Sequence, residues 1–280
     1  MRLEGVGRRH RTGGPWIVRD VALDVPAGTL IRIHGANGSG KSTLLRLIAG
    51  IDTPSTGRIT GRPRTTAYVP ERFPAALPFT AAGYLTAMGR VHGLRRGAAE
   101  RAGRTWLERL GAGPYANTPL GELSKGSSQK VAVAQALLAP PGGLLALDEA
   151  WTGLDPASRA VLDRTVTERV AEGTAVVFVD HDPHRLAGRP DAAYDVAGGR
   201  VRPSAVLLDE RARGRPRVRV EVQGPPGAAL PDGLPGAPHA DGHRLTVAAA
   251  HSDALLHALL TARPAWHIRS VTPVEEEDPS

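Results

Sequence analysis

The stretch Gly35-Ala36-Asn37-Gly38-Ser39-Gly40-Lys41-Ser42 carries the densest chemistry in this sequence. A glycine, four free positions and a Gly-Lys-Ser triplet together fit a phosphate-cradling loop. Glycine permits the φ angles and the close backbone approach that wrapping a phosphate requires. Main-chain N–H groups and a following helix N-terminus then offer partial positive charge to the anion. Lys41 adds a full cation for the terminal phosphates, the Ser42 hydroxyl suits a magnesium ion, and Thr43 follows in the first helical turn. Only three of the 35 basic residues are lysine, namely Lys41, Lys125 and Lys130. Where arginine is the default cation, a retained lysine marks a place that a compact ammonium fits and a planar fork does not. A second feature is the apolar run Leu144-Leu145-Ala146-Leu147 ending in Asp148-Glu149. An acid at the end of a buried strand is costly without compensation. A magnesium ion held by Asp148 supplies it, and Glu149 is then placed to polarise an attacking water as general base.

The elements that must position these groups alternate between strand and helix. Val21–Val25 and Thr29–Ile33 read as strands with a Pro-Ala-Gly turn between them, and Ser42–Ala49 reads as a helix stopped by Gly50. Thr65–Val69 is a further expected strand, closed by Pro70. Residues 79–120 turn helical, clearest over Ala98–Leu110, and Lys130–Leu138 is helical again. Leu144–Leu147 and Thr174–Val179 read as buried strands, with the helix Arg159–Ala171 between them. This alternation predicts an α/β fold with a mainly parallel sheet, and the phosphate loop within it points to a P-loop NTPase. Composition shifts near residue 203, and residues 224–238 are rich in Pro and Gly. Strand signals at Val218–Val222, Arg244–Val247 and His267–Val271, with a helix over Ser252–Leu260, predict a small α+β extension.

One further motif decides the class. Leu123-Ser124-Lys125-Gly126-Ser127-Ser128-Gln129 precedes a helix and is similar to the Leu-Ser-Gly-Gly-Gln signature of the ABC ATPase family. With it in order come the phosphate loop, Asp148-Glu149, Thr152-Gly153-Leu154-Asp155 and His181 after the last buried strand. On these residues the sequence resembles that family over residues 1–202. The resemblance implies a P-loop core, a small antiparallel β subdomain and an inserted helical subdomain over about 72–140, with residues 203–280 as an accessory extension. It implies ATP and Mg²⁺ as ligands and ATP hydrolysis as the activity. Ser124, Gly126 and Ser127 would touch ATP held by a second copy, so that two copies face each other head to tail. Asp155 would line that interface, and His181 would contact the terminal phosphate. Glu71, in Tyr68-Val69-Pro70-Glu71, stands where the family usually has a Gln near the metal. His10 stands where an aromatic usually stacks on adenine, with Trp16 as the alternative. The helical subdomain would carry a groove for a separate transmembrane permease, and Phe73, Phe79, Tyr84 and Met88 are candidates either for that groove or for core. Lys125 and Glu71 resemble exporters, which implies export as the direction.

Composition limits the alternatives. The net charge of +7 is spread over scattered arginines, so no nucleic-acid partner is expected. Zero cysteines exclude disulfides, thiolate metal sites and cysteine nucleophiles. No apolar run is long enough to span a membrane and no signal peptide is visible, so the expected place is cytoplasmic, peripheral on the inner face of the membrane. Arg211, Arg213, Arg215, Arg217 and Arg219 form an alternating basic stretch suited to anionic lipid or a solvated strand face. A soluble relative acting on ribosomes or DNA is the competing expectation, and a small-molecule kinase is disfavoured by the signature.

Overall fold

The computed structural model describes residues 1–11, 13–74, 76–182, 184–204, 217–225, 230–231, 234, 238–248, 252–262, 264 and 266–273. Along the first part run β1 (Arg2–Arg9), β2 (Trp16–Asp24), β3 (Leu30–His34), α1 (Lys41–Ala49), β4 (Thr56–Thr60), β5 (Thr66–Val69), α2 (Ala81–Val91) and α3 (Arg96–Arg109). They are followed by α4 (Lys125–Leu137), β6 (Leu144–Asp148), α5 (Pro156–Ala171), β7 (Ala175–Val179), β8 (Ala192–Ala197) and β9 (Arg200–Pro203). Every residue of β6 and β7 is buried, as short continuous apolar runs require when both faces of a sheet are covered.

The central sheet has the order β5-β6-β7-β3-β8-β9, parallel throughout except for the antiparallel pair β8–β9. In the β6–β7 register Asp148 lies beside Val179. The chain leaves β3, β6 and β7 at the same edge of the sheet, so three segments far apart in sequence meet there, where ligands of open α/β sheets bind. A second, antiparallel sheet has the order β2-β1-β4. One core packs β6 and β7 against α4 and α5, with Leu147, Val131, Leu162 and Phe178 at its centre. Another packs α1 against β3 and the antiparallel sheet through Leu44, Leu45, Leu47, Ile48 and Val6. Helices α2 and α3 approach closely because Gly89 and Gly103 face their neighbours. A Cβ at Gly89 would lie 2.8 Å from that of Ala99, and one at Gly103 would lie 3.0 Å from Leu85 Cβ.

Several element boundaries differ from the sequence expectation for local reasons. Helix α4 starts at Lys125, not Lys130, because Ser124 Oγ accepts from Ser127 N at 3.1 Å and caps the first turn. Helix α5 starts at Pro156, not Arg159, because Asp155 caps it through Ser158 N at 2.8 Å. The helical reading of 79–120 resolves into α2, α3 and two single 3₁₀ turns at Gly113–Tyr115 and Leu120–Glu122. The strands β1, β4, β8 and β9 complete the sheets.

The chain divides into two compact units, Met1–Leu207 and Leu208–Ser280. The second contains β10 (Arg217–Gln223), β11 (His239–Asp241), β12 (Arg244–Ala248), α6 (Ser252–Thr261) and β13 (His267–Pro273). Its sheet is antiparallel, ordered β11-β12-β10-β13, over a core of Val220, Val222, Leu245, Val247, Leu255, Leu259 and Trp266. Arg211, Arg213, Arg215, the side chain of Arg217 and the acidic residues 275–278 lie outside the described residues; Arg219 is exposed. Among the described residues, no helix is long and apolar enough to cross a membrane.

Candidate active site

The loop between β3 and α1 is held in a shape that only glycine tolerates at its key positions. Gly35, Gly38 and Gly40 have φ of 148°, 76° and 108°. A Cβ on Gly35 would sit 2.5 Å from the Val196 carbonyl oxygen, and one on Gly40 would sit 2.9 Å from Val18 Cγ1. No side chain caps α1, whose N-cap is Gly40, so the positive end of the helix dipole points at the loop. Lys41 Nζ donates to the carbonyls of Gly35 at 2.7 Å and Ala36 at 2.9 Å. Ser39 Oγ is buried with no hydrogen-bond partner and lies against Gly35, 2.7 Å from where a Cβ there would sit; neither residue lines the adjoining cleft.

The loop opens on a cleft of about 500 Å³, large enough for a nucleotide. His10, Asn37, Gly38, Gly40, Lys41, Ser42 and Thr43 line it, joined by Glu71, Glu149 and His181 from three other segments. Ile17 and Arg46 line it as well. Trp16, the alternative to His10, is instead covered by Arg9, whose guanidinium lies 4.8 Å from the ring centre.

Asp148 lies behind the cleft at 1% exposure. Ser42 Oγ donates to its Oδ1 at 3.1 Å and the Tyr68 hydroxyl to its Oδ2 at 2.9 Å. Burial pushes its carboxyl above the ordinary range, which those two donors only partly oppose. The Tyr68 hydroxyl is likewise pushed well up, first by burial and then by the Asp148 charge. A buried carboxylate held by neutral hydroxyls, with a serine oxygen beside it, forms a hard-oxygen donor set that fits Mg²⁺. Glu149 follows in the left-handed region at φ 53°, fixed by Glu149 N donating to Val179 O at 3.0 Å. Its Oε1 lies 2.7 Å from His181 Nε2. Burial raises the Glu149 carboxyl; His181 opposes this, while the nearby charges of Glu71 and Asp148 add to it.

Ser124, Gly126, Ser127 and Asp155 are not brought to this cleft. Ser124 caps α4, its Oγ also donating to Ser127 Oγ at 3.1 Å. A Cβ on Gly126 would lie 3.0 Å from the Gly153 carbonyl oxygen. Asp155 pairs with Lys130, an interaction that, with Ser158 N, holds its carboxyl far below the usual range. Gln129 Nε2 donates to Ala150 O at 3.1 Å, so two bonds and one close backbone approach join the first half of α4 to the segment after Glu149. Of the groove residues, Phe73, Tyr84 and Met88 pack against the core, with Phe73 edge-on to Tyr84 at 5.2 Å. Phe79 is 42% exposed.

Tyr68 was not singled out from sequence. Its signal was present, because a tyrosine in a buried strand needs a partner for its hydroxyl.

The ABC transporter family model matches residues 18–152. The zinc import ATP-binding protein ZnuC of Cereibacter sphaeroides is 40% identical over 185 residues, which cover 65% of this chain and 73% of that protein. The macrolide export ATP-binding/permease protein MacB 1/2 of Paracoccus denitrificans is 33% identical over 219 residues, 72% of this chain but 32% of that protein. Among solved structures, an ATP-binding subunit of an ABC transporter superposes with a TM-score of 0.65 at 24% identity, covering 76% of this chain and 92% of that one. The dimeric cassette MJ0796 bound to ADP and Pi superposes with a TM-score of 0.62 at 22% identity, covering 72% and 97%. With the cleft and these likenesses together, the chain belongs to the ABC transporter family as an ATP-binding subunit, a P-loop ATPase that works with Mg²⁺.

Proposed function

We propose that this chain powers transport by a separate permease, two copies holding ATP between them. The convergence of Lys41, Ser42, Asp148, Glu149 and His181 on one cleft, with Ser124 and Gly126 outside it, carries this reading. A second copy is then the natural source of the Ser124 helix end as an anion cap, since a helix N-terminus favours a phosphate. The loop N–H groups and Lys41 bind and orient the phosphates. His10 and Ile17, which both line the cleft, would pack against the base. Ser42 and Asp148, with Glu71 at the cleft wall, would hold Mg²⁺, which supplies charge neutralisation at the phosphates. Glu149 takes the proton of the attacking water, and His181 holds Glu149 in place and donates toward the terminal phosphate. The exposed Phe79 is the groove residue best placed to meet a permease at the inner membrane face.

Glu71 and Lys125 favour export. Import is the second reading, favoured by the 40% identity to a protein named for zinc import. Purification under mild detergent tests the partner: a multi-span membrane protein should copurify, whereas ribosomes or DNA in its place would overturn the transport reading. Removing the chain from its cell tests direction. Export predicts greater sensitivity to macrolide-like compounds; import predicts poor growth on zinc-depleted medium.

A further inference from the structure

Arg185 lies in the turn after β7, with its side chain 13% exposed. Its guanidinium faces three carboxylates: Asp182 Oδ2 at 3.2 Å, Asp163 Oδ2 at 3.3 Å and Asp180 Oδ2 at 3.7 Å. Asp180 and Asp182 flank His181 on either side. Asp163 comes from α5, and its other oxygen accepts from Trp151 Nε1 at 2.7 Å. Trp151 is 1% exposed and stands two residues beyond Glu149. The Arg185 guanidinium lies 5.6 Å from its ring centre, and Phe178 meets the ring edge-on at 5.7 Å. From the far side, Arg32 donates to Asp182 O at 2.6 Å and to Arg185 O at 3.1 Å. The next residue, Leu186, is buried and held at φ 53°. A left-handed leucine costs about 1–2 kcal/mol and persists only where its surroundings over-determine it.

We propose that Arg185 is a positioning residue for hydrolysis: through Asp163 and Trp151 it locks the turn bearing His181 to the turn bearing Glu149. Arg185 is not among the residues lining the cleft. What it secures is the 2.7 Å contact between Glu149 Oε1 and His181 Nε2. Without its cation, the buried Asp180 is left facing the part-exposed Asp163 and Asp182, and the turn that Asp180 and Asp182 belong to must shift to separate them. Lysine cannot substitute, because a point ammonium does not span carboxylates that a planar fork reaches together. This inference rests on the proposed roles of Glu149 and His181 in hydrolysis.

The test uses the full chain and three substitutions: Arg185→Gln, Arg185→Lys and Trp151→Phe. The last keeps an aromatic ring while removing the N–H that reaches Asp163 together with part of a buried indole; it serves if Arg185→Gln fails to fold, with nucleotide affinity as the control for a merely structural loss. Expected is a fall in kcat of about 10- to 100-fold for the Arg185 variants, the size of effect that an ångström-scale misplacement brings. The affinity for magnesium-ADP should stay within about twofold, since the phosphate loop is untouched. In a His181→Ala background, followed by single turnover of radiolabelled ATP, Arg185→Gln or Trp151→Phe should add no further loss, as two residues acting through one contact are non-additive. An equal fold-loss in both backgrounds, a parallel drop in nucleotide affinity, or unchanged kcat in both Arg185→Lys and Trp151→Phe would overturn the lock. If His181→Ala alone leaves turnover intact, the failure lies in the role given to His181, and the lock falls with it.

Discussion

Replacing Asp148 with asparagine should make the nucleotide-free protein more stable while destroying the site. The carboxylate is 1% exposed, and its two hydrogen bonds come from the neutral hydroxyls of Ser42 and Tyr68. Holding such an ion away from water costs several kcal/mol. An asparagine can keep both partners, accepting from Tyr68 and donating to Ser42. Two charge-assisted bonds become neutral ones, a loss of about 1 kcal/mol each. The net gain is about 1–2 kcal/mol, or roughly 3–6 °C in the melting temperature of the unit carrying the cleft. The sign has a pH signature. Burial raises the Asp148 carboxyl in the folded state, so the folded protein binds the proton more tightly than the unfolded chain. Its contribution to stability is therefore fully present below the unfolded-state value and is lost as pH rises through the raised folded value. The advantage of Asp148→Asn should accordingly widen with pH across that window. Melting curves in EDTA at several pH values measure it. Saturating magnesium-nucleotide at about 100 times Kd adds some 2.7 kcal/mol to the parent and far less to the variant, which reverses the ranking. A variant that melts below its parent in EDTA at every pH would show that the Asp148 charge is already compensated within the chain, and would refute the reasoning.

Glu149→Gln should keep nucleotide affinity, slow hydrolysis by about 10²- to 10⁴-fold and accumulate as a dimer with ATP, read by single-turnover kinetics and size-exclusion chromatography. Because burial and the neighbouring acids raise Glu149, its base form is lost as pH falls below that raised value. Turnover at saturating ATP should thus decline at higher pH than an ordinary glutamate would give, and Glu71→Gln should move that acid limb to lower pH. An unmoved limb would dissociate Glu71 from Glu149. Gly35→Ala places a Cβ 2.5 Å from the Val196 carbonyl at φ 148°. Backbone strain of about 1–3 kcal/mol should weaken nucleotide binding about 10-fold or more, as measured by calorimetry.

How much could be read beforehand depended on whether the information was contiguous. The phosphate loop was legible because its glycines, Lys41 and Ser42 are consecutive. The Asp148-Glu149 pair was legible because an apolar run delivers it. The core strands β6 and β7 were plain for the same reason. The strand β4 was not, because four of its five residues are exposed and its pairing with β1 is set across the sheet rather than by its own pattern. The first turn of α4 read as loop because Lys-Gly-Ser-Ser has little helical preference of its own; the Ser124 cap makes the helix there. Tyr68, Asp163 and Arg185 were missed because each is ordinary in its own segment. They gain meaning only when β5 lies beside β6 and α5 lies against the turn after β7.

The Lys41 ammonium carries three N–H donors, and two of them reach the Gly35 and Ala36 carbonyls at 2.7 and 2.9 Å. One donor remains for a phosphate, so the cation need not let go of the loop to receive the anion. Those two internal bonds fix the bearing of a long, flexible side chain, and little further rotamer freedom is lost when a ligand meets it. A grip aimed in this way favours quick capture, which suits an ATPase that reloads after every turnover.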